Sequence, residues 1–244
     1  MEFKKIIYIS FLLTCLIAIS FYIFVYNEMK EYDKCSLNYE QLYELSNTGD
    51  IIYFRWSCVD FGYRLFSQFS HVGIVYKVNN KKVYILETHP KDDYTALDEN
   101  DGGVHVYDLK KRLSKYIENG GNCYYSQLNS NYTTSIKLTE FINKNIKEYK
   151  KIEFDQYFRY SFIHTLLCSL DKYRIFKNIL DPFKLSYPDD SLIPMCCSQF
   201  IGYILQQYKL ISDNENIDLF SPSTFKKLKQ TNGNLLYNKI HKIK

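Results

Sequence analysis

Residues 70–87 read SHVGIVYKVNNKKVYILE, and this stretch decides the fold. The segments 70–78 and 82–86 are rich in β-branched and apolar residues, which is typical of buried strands. Asn79 and Asn80 lie between the two segments, and asparagine favours turns because it tolerates a left-handed backbone. The stretch therefore predicts a β-hairpin.

Two polar residues of this hairpin are candidates for acid–base chemistry. His71 opens the first strand, and Gly73 follows two positions along on the same face, which lets another element approach the imidazole closely. Glu87 ends the second strand, at an even separation from His71, so the two side chains can meet only if the loop has an odd number of residues. The alternatives are a half-buried strand histidine and a glutamate that emerges into solvent.

A third candidate lies far along the chain, where residues 195–210 follow Pro194 with apolar side chains at helical spacing. In the first turn of such a helix, unpaired N–H groups and the helix dipole favour the thiolate, which is the reactive form of cysteine. Cys197 shares the face of Ile201, which packs toward the sheet, whereas Cys196 points in a neighbouring direction. Two adjacent cysteines at a helix start are also compatible with ordinary buried side chains.

The remaining pattern predicts further short strands and one more helix. Residues 51–54 and 104–107 are apolar runs that follow turn residues, and residues 138–149 have helical spacing. The aromatic-rich insertion at 158–188 has no assignable pattern. Together these elements predict an α+β domain, with an antiparallel sheet packed on the cysteine-bearing helix.

The composition excludes several functional classes. The chain has 244 residues, 46% hydrophobic and 24% charged, which is typical of a packed globular protein. The net charge of +4 comes from scattered lysines, so no nucleic-acid groove is predicted. The seven cysteines form no CxxC pair and have no zinc-ligand spacing with histidine, so neither a structural metal nor another cofactor is expected.

The N-terminus contains an apolar run, residues 6–26, with 21 residues and no charge. A helix of this length is long enough to span the hydrocarbon layer of a bilayer. A cleaved signal peptide is the alternative, but the run is longer than a typical signal-peptide core and no small-x-small cleavage site follows it. The run therefore predicts an N-terminal transmembrane helix, a single-pass membrane localisation and the lipid bilayer as a partner.

Seven motifs occur in a fixed order along the chain: TGDIIYFR at 48–55, SHVGIV at 70–75, ILE at 85–87, GV at 103–104, FD at 154–155, CSQFI at 197–201 and SP at 221–222. This series resembles the signature of the circularly permuted papain-like enzymes of the NlpC-like superfamily. That group includes bacterial YiiX-like proteins, poxvirus relatives and, more distantly, lecithin–retinol acyltransferases. Its defining feature is the order of histidine first, acid next and cysteine helix last.

The resemblance implies a catalytic triad of Cys197, His71 and Glu87, since the family nucleophile directly precedes Ser-(Glu/Gln)-apolar. Gln199 stands where the family often has glutamate. The resemblance also implies a permuted papain-like domain behind the anchor, and it divides the chain into an anchor (1–30), a stem (31–46), the catalytic domain (47–225) and a basic C-terminal tail (226–244).

Two functions follow from this interpretation. The first is a membrane-anchored cysteine hydrolase or acyltransferase that cleaves an amide or ester, in a peptide or a lipid acyl group, through a thioester acyl-enzyme. The second is an anchored structural or interaction protein that keeps the papain-like fold without turnover.

Overall fold

The computed structural model describes residues 2–55, 68–78, 82–91, 96–97, 101–154 and 195–244. Several features of the sequence analysis lie outside these residues: the Asn79-Asn80 turn, Asp155 of the FD motif, the aromatic insertion at 158–188 and Pro194.

One mixed sheet of seven strands forms the centre of the domain, in the order β1-β7-β6-β2-β3-β4-β5. The strands are β1 (Ser36–Leu37), β2 (Ile51–Arg55), β3 (His71–Val78), β4 (Lys82–His89), β5 (Gly103–Asp108), β6 (Asn122–Leu128) and β7 (Tyr237–Ile243). β3 and β4 pair antiparallel, so the predicted hairpin pairing is confirmed.

The sheet is not purely antiparallel, and that part of the prediction is wrong. β1 pairs with β7 in parallel, and the register joins Ser36 to Lys242 and Leu37 to Ile243. All the other strand pairs are antiparallel. The parallel pair brings together two segments from opposite ends of the chain, which no local pattern of residues can reveal.

The helices are α1 (Glu2–Asp33), α2 (Tyr39–Leu45), α3 (Leu109–Glu118), α4 (Tyr132–Tyr149) and α5 (Cys197–Gln207). Side chains of a strand alternate between its two faces, so the sheet carries two separate apolar layers. One layer holds Val72, Ile74 and the buried face of α5. The other holds Val75, Ile85 and the apolar face of α3. The sheet is therefore covered on both faces, and α5 packs directly on β3 and β4.

The segments that the sequence analysis assigned to a stem and a tail contribute to this sheet. The stem at 31–46 contains β1 and α2, and α2 begins at a capping box between Asn38 and Gln41. The tail at 226–244 contains β7, which pairs with both β1 and β6. β7 buries Ile240 and Ile243, whereas Lys239 is exposed and Lys242 is half-buried. A lysine-rich composition therefore concealed an interior strand.

The N-terminal segment forms one continuous helix, α1, of 32 residues. Its last turns pack on the domain: Met29 is buried, and the ring of Tyr32 stacks on Phe69 with centroids 6.2 Å apart. Asp33 at its end pairs with Lys242 at 3.2 Å.

Among the residues that the structure describes, no helix is both long enough and apolar enough to cross a bilayer. The predicted transmembrane helix over residues 6–26 is therefore wrong, and so is the single-pass membrane localisation that was inferred from it. The lipid bilayer as a partner stays a prediction.

Candidate functional site

His71 and Glu87 meet across the pairing of β3 with β4. The Nε2 atom of His71 lies 3.0 Å from Oε2 of Glu87. The register pairs Val78 with Lys82, so three residues connect the strands, an odd number as the sequence argument required. The same register places Glu87 opposite Gly73, so its carboxylate reaches His71 along the diagonal. Glu87 is fully buried, which excludes the alternative of an acid that emerges into solvent.

The absent side chain of Gly73 makes room for β4. A Cβ atom at this position would lie 2.4 Å from Cδ1 of Ile85 and 3.3 Å from Cβ of Glu87. The element that the small residue was expected to admit beside the imidazole is therefore β4, through the side chain of Ile85. Glycine is required here because the strand that carries Glu87 occupies the space.

Cys197 is the first residue of α5, where its side chain approaches the imidazole. The Cys197 side chain is hydrogen-bonded to His71. Because Nε2 of His71 faces Glu87, the nitrogen that faces the sulfur is Nδ1. The sulfur therefore lies beside a ring nitrogen and at the positive end of a helix, and both surroundings favour a thiolate.

Cys196 has a different role from its neighbour, although the two are chemically identical. It is the N-cap residue of α5, and its backbone N–H donates to Oε1 of Gln199 at 2.9 Å. Burial, followed by the charge of Cys197, raises the pKa of the Cys196 thiol to about 12. Cys196 therefore remains a thiol at neutral pH and caps the helix, and Gln199 completes the capping box.

Arg112 joins the site from α3, which packs on the face of the sheet that also carries Ile85 and Glu87, and sequence reasoning missed it. Its Nε atom lies 2.5 Å from Oε1 of Glu87, and the side chains of both residues are fully buried. The signal was present in the sequence, since Leu109, Leu113 and Tyr116 follow the helical spacing that also contains Arg112. An arginine on the apolar face of a helix needs a buried partner, and Glu87 is that partner.

These contacts set the charges of the site. Burial alone lowers the pKa of His71, but the charges of Cys197 and Glu87 and their hydrogen bonds outweigh it and raise the pKa to about 9. Burial alone raises the pKa of Glu87, but the charges of Arg112 and His71 outweigh it and lower the pKa to about 2. At neutral pH the carboxylate of Glu87 is therefore ionised, and the ring of His71 is a positively charged imidazolium.

A second histidine, His89, follows Glu87 by two positions on the same face and is fully buried. Its Nδ1 lies 2.9 Å from the carbonyl oxygen of Pro90, which can only accept, so Nδ1 donates. Its Nε2 therefore accepts from the hydroxyl of Tyr107 at 2.6 Å. Burial lowers the pKa of His89, so the ring is neutral and both nitrogens are occupied. Of His71 and His89, it is His71 that lies against Cys197.

Comparisons with known proteins find similarity at the level of structure. No protein-family profile matches the chain, and no curated protein matches it in sequence. Among solved structures, the chain is similar to the crystal structure of the metalloprotein yiiX from Escherichia coli O157:H7. The match covers 81% of this chain and 96% of that chain, with 14% sequence identity and a TM-score of 0.41. In the part of the present chain that the structure describes, no three His, Cys, Asp or Glu side chains are grouped to hold a metal ion.

Proposed function

We propose that this chain is a thiol-dependent hydrolase or acyltransferase of the permuted papain-like type. Cys197 is the nucleophile, His71 is the general base and acid, and Glu87 orients the imidazole. The observation that carries the proposal is the placement of His71, which is hydrogen-bonded to Cys197 on one side and lies 3.0 Å from Glu87 on the other. This is the relation of nucleophile, base and orienting acid that covalent catalysis requires.

In the acylation step, the Cys197 thiolate attacks the carbonyl carbon of an amide or ester and a carbon–sulfur bond forms. The imidazolium of His71 then gives its proton to the leaving nitrogen or oxygen as the carbon–nitrogen or carbon–oxygen bond breaks. The product at this stage is a thioester on Cys197. The raised pKa of His71 suits this order of events, since the ring already holds the proton that the leaving group needs.

The second step releases the acyl group. His71, now neutral, takes a proton from water or from an acceptor alcohol or amine, and the resulting nucleophile attacks the thioester. The carbon–sulfur bond breaks and the thiolate returns beside the protonated imidazole. Glu87 keeps Nε2 of the ring engaged throughout, so that Nδ1 continues to face the sulfur.

Negative charge on the carbonyl oxygen of the intermediate needs hydrogen-bond donors. Backbone N–H groups at the start of α5 are the candidates, because they lie beside Cys197. The N–H of Cys196 already donates to Gln199, so it does not serve this purpose in the present conformation.

The function is tested with p-nitrophenyl acetate, an activated ester that needs no further recognition. We expect the wild-type protein to turn it over and to carry the acetyl group on Cys197, as read by mass spectrometry. Cys197→Ser should reduce turnover by orders of magnitude, because serine is a far weaker nucleophile beside this base. Its free energy of unfolding should change by no more than about 1 kcal/mol, since the replacement is nearly isosteric. His71→Gln should reduce turnover similarly.

Cys196→Ser is the matched control, because it changes the same atom in the adjacent residue. Serine is a good N-cap residue, so we expect the fold and the turnover to be retained. Equal loss of activity in the two serine variants, or full activity in Cys197→Ser, would contradict the proposed nucleophile. A folded wild-type protein that forms no acyl-enzyme would favour the non-catalytic alternative.

A further inference from the structure

Glu87 divides its two carboxylate oxygens between two partners on different elements. Oε2 faces His71 on β3 at 3.0 Å, and Oε1 accepts from Nε of Arg112 on α3 at 2.5 Å. The arginine and the glutamate are both fully buried, and the histidine side chain is 14% exposed. The contact with Arg112 therefore fixes the direction in which the carboxylate can turn.

We propose that Arg112 is a positioning residue of the thiol site: its guanidinium holds Oε1 of Glu87 so that Oε2 is presented to His71. The inference rests on the proposed function, because it assigns Arg112 an effect on Cys197 through the acid and the imidazole. Arg112 does not touch the reacting atoms itself. Without its charge, a carboxylate in this buried position takes up a proton, and a neutral Glu87 no longer stabilises a protonated His71.

Two aromatic rings hold the guanidinium in place. The guanidinium carbon of Arg112 lies 4.8 Å from the ring centre of Phe54 and 5.7 Å from that of Tyr116. The ring of Phe54 also lies 5.3 Å from the ring of His71, so one aromatic side chain contacts both ends of the charged group. A planar guanidinium stacks between rings and still donates in its own plane, which an ammonium group does not do.

Other titratable groups face Glu87, and they do not replace Arg112. His89 is the last residue of the same strand and is neutral for the reasons given above. His105 pairs with Glu87 across β4 and β5, and its ring stacks on that of His89. Cys123 on β6 is buried, which raises the pKa of its thiol far above neutrality. Among the described residues, Arg112 is thus the permanent positive charge that pairs with the acid.

The test measures the rate at which iodoacetamide alkylates Cys197 as a function of pH, by mass spectrometry of the Cys197 peptide. The rate follows the fraction of thiolate and needs no substrate. The acid limb of this profile is the low-pH range over which the rate rises with the thiolate fraction. In Arg112→Met, we expect this limb to shift to higher pH by about one unit or more. At a fixed pH on the limb, the alkylation rate should therefore fall by about tenfold. Arg112→Gln, which keeps a donor near Glu87 and is easier to accommodate, should move the limb in the same direction by less. Arg112→Lys, which keeps the charge, should restore most of the wild-type profile.

Leu113→Ala is the matched control, because Leu113 is the next residue of α3, is also buried and carries no charge to place beside Glu87. It should weaken the fold without moving the acid limb. An equal movement in Leu113→Ala, or an unmoved limb in a folded Arg112→Met or Arg112→Gln protein, would overturn the assignment of Arg112. His71→Gln separates the two hypotheses: if it leaves the profile unchanged, the proposed Cys–His pair itself fails. If His71→Gln changes the profile and the Arg112 variants do not, only the role of Arg112 fails.

Discussion

Among the residues that the structure describes, two carboxylates are fully buried, Asp50 and Glu87, and their pKa values shift in opposite directions. Burial raises the pKa of Asp50 to about 6, whereas that of Glu87 is lowered to about 2. The two acids therefore behave differently although solvent reaches neither. Burial alone does not determine what a carboxylate does. Its partners decide.

The groups that donate hydrogen bonds to the carboxylate of Asp50 are neutral. Its oxygens accept from the N–H of Asn47 at 2.7 Å, from the N–H of Leu128 at 2.8 Å and from the hydroxyl of Tyr125 at 2.6 Å. These hydrogen bonds connect the turn before β2 with β6 and so stabilise the fold. Glu87 instead faces one permanent cation, Arg112, and one group that can become a cation, His71. A carboxylate paired in this way remains charged and can hold a protonated imidazole in place.

The largest expected effect comes from breaking the charge pair of Glu87. Glu87→Gln leaves the guanidinium of Arg112 buried without a counter-charge, and such a loss typically costs about 3–5 kcal/mol of stability. We expect this decrease in the free energy of unfolding, measured by urea denaturation at pH 7. The double variant Glu87→Gln/Arg112→Met removes both charges and should recover most of the loss. A Glu87→Gln protein as stable as the wild type would contradict the buried ion pair.

A somewhat smaller decrease in the free energy of unfolding is expected when the pH is lowered. The pKa of Glu87 falls from its ordinary value of 4.5 to about 2 on folding, which corresponds to about 3.5 kcal/mol. This contribution is fully present above pH 4.5 and is lost as the pH falls through 2, because the unfolded chain binds the proton first. Urea denaturation across this range should show the decline in the wild-type protein and its absence in Glu87→Gln/Arg112→Met. The same decline in both proteins would assign it to other carboxylates.

The sequence was sufficient for the parts of the fold and site that depend on local pattern. The β-branched and apolar runs on either side of a turn predicted β3 and β4, and the even separation of His71 from Glu87 correctly required an odd loop. The helical spacing after Cys197 predicted the buried face of α5, where Phe200, Ile201, Ile204 and Leu205 are all buried. These predictions succeed because strand alternation and helix period follow from backbone geometry alone.

The features that sequence reasoning missed depend on contacts between distant segments. The helical spacing places Arg112 on the apolar face of α3, but the sequence does not reveal that its partner is Glu87 on β4. The sequence analysis assigned β7 to a basic tail. Its place inside the sheet becomes visible only from its pairing with β1 and β6. Asp50 was interpreted only as a turn residue, since its bonds to Tyr125 and Leu128 cross to β6. Each case requires the tertiary partner to be known.

The smallest expected effect concerns Asp50, and it has the opposite sign to that of Glu87. Because the pKa of Asp50 rises from 3.8 to about 6 on folding, the folded state holds the proton longer than the unfolded chain. Stability should therefore fall by about 3 kcal/mol as the pH rises from 3.8 to 6. Asp50→Asn removes this dependence, so it should cost more stability at pH 4, where the native acid is protonated, than at pH 7. Urea denaturation at the two pH values measures the difference.

Alkylation of Cys197 by iodoacetamide gives the decisive contrast between the two acids. Asp50 makes its hydrogen bonds to the turn and to β6 and none to His71 or Cys197. Asp50→Asn should therefore leave the pH profile of alkylation unchanged while it changes the pH dependence of stability. Loss of the Glu87 charge should change both. If Asp50→Asn moved the alkylation profile as far as the Arg112 variants do, any disturbed buried acid would be enough to affect the thiol. The separate roles of the two carboxylates would then be untenable.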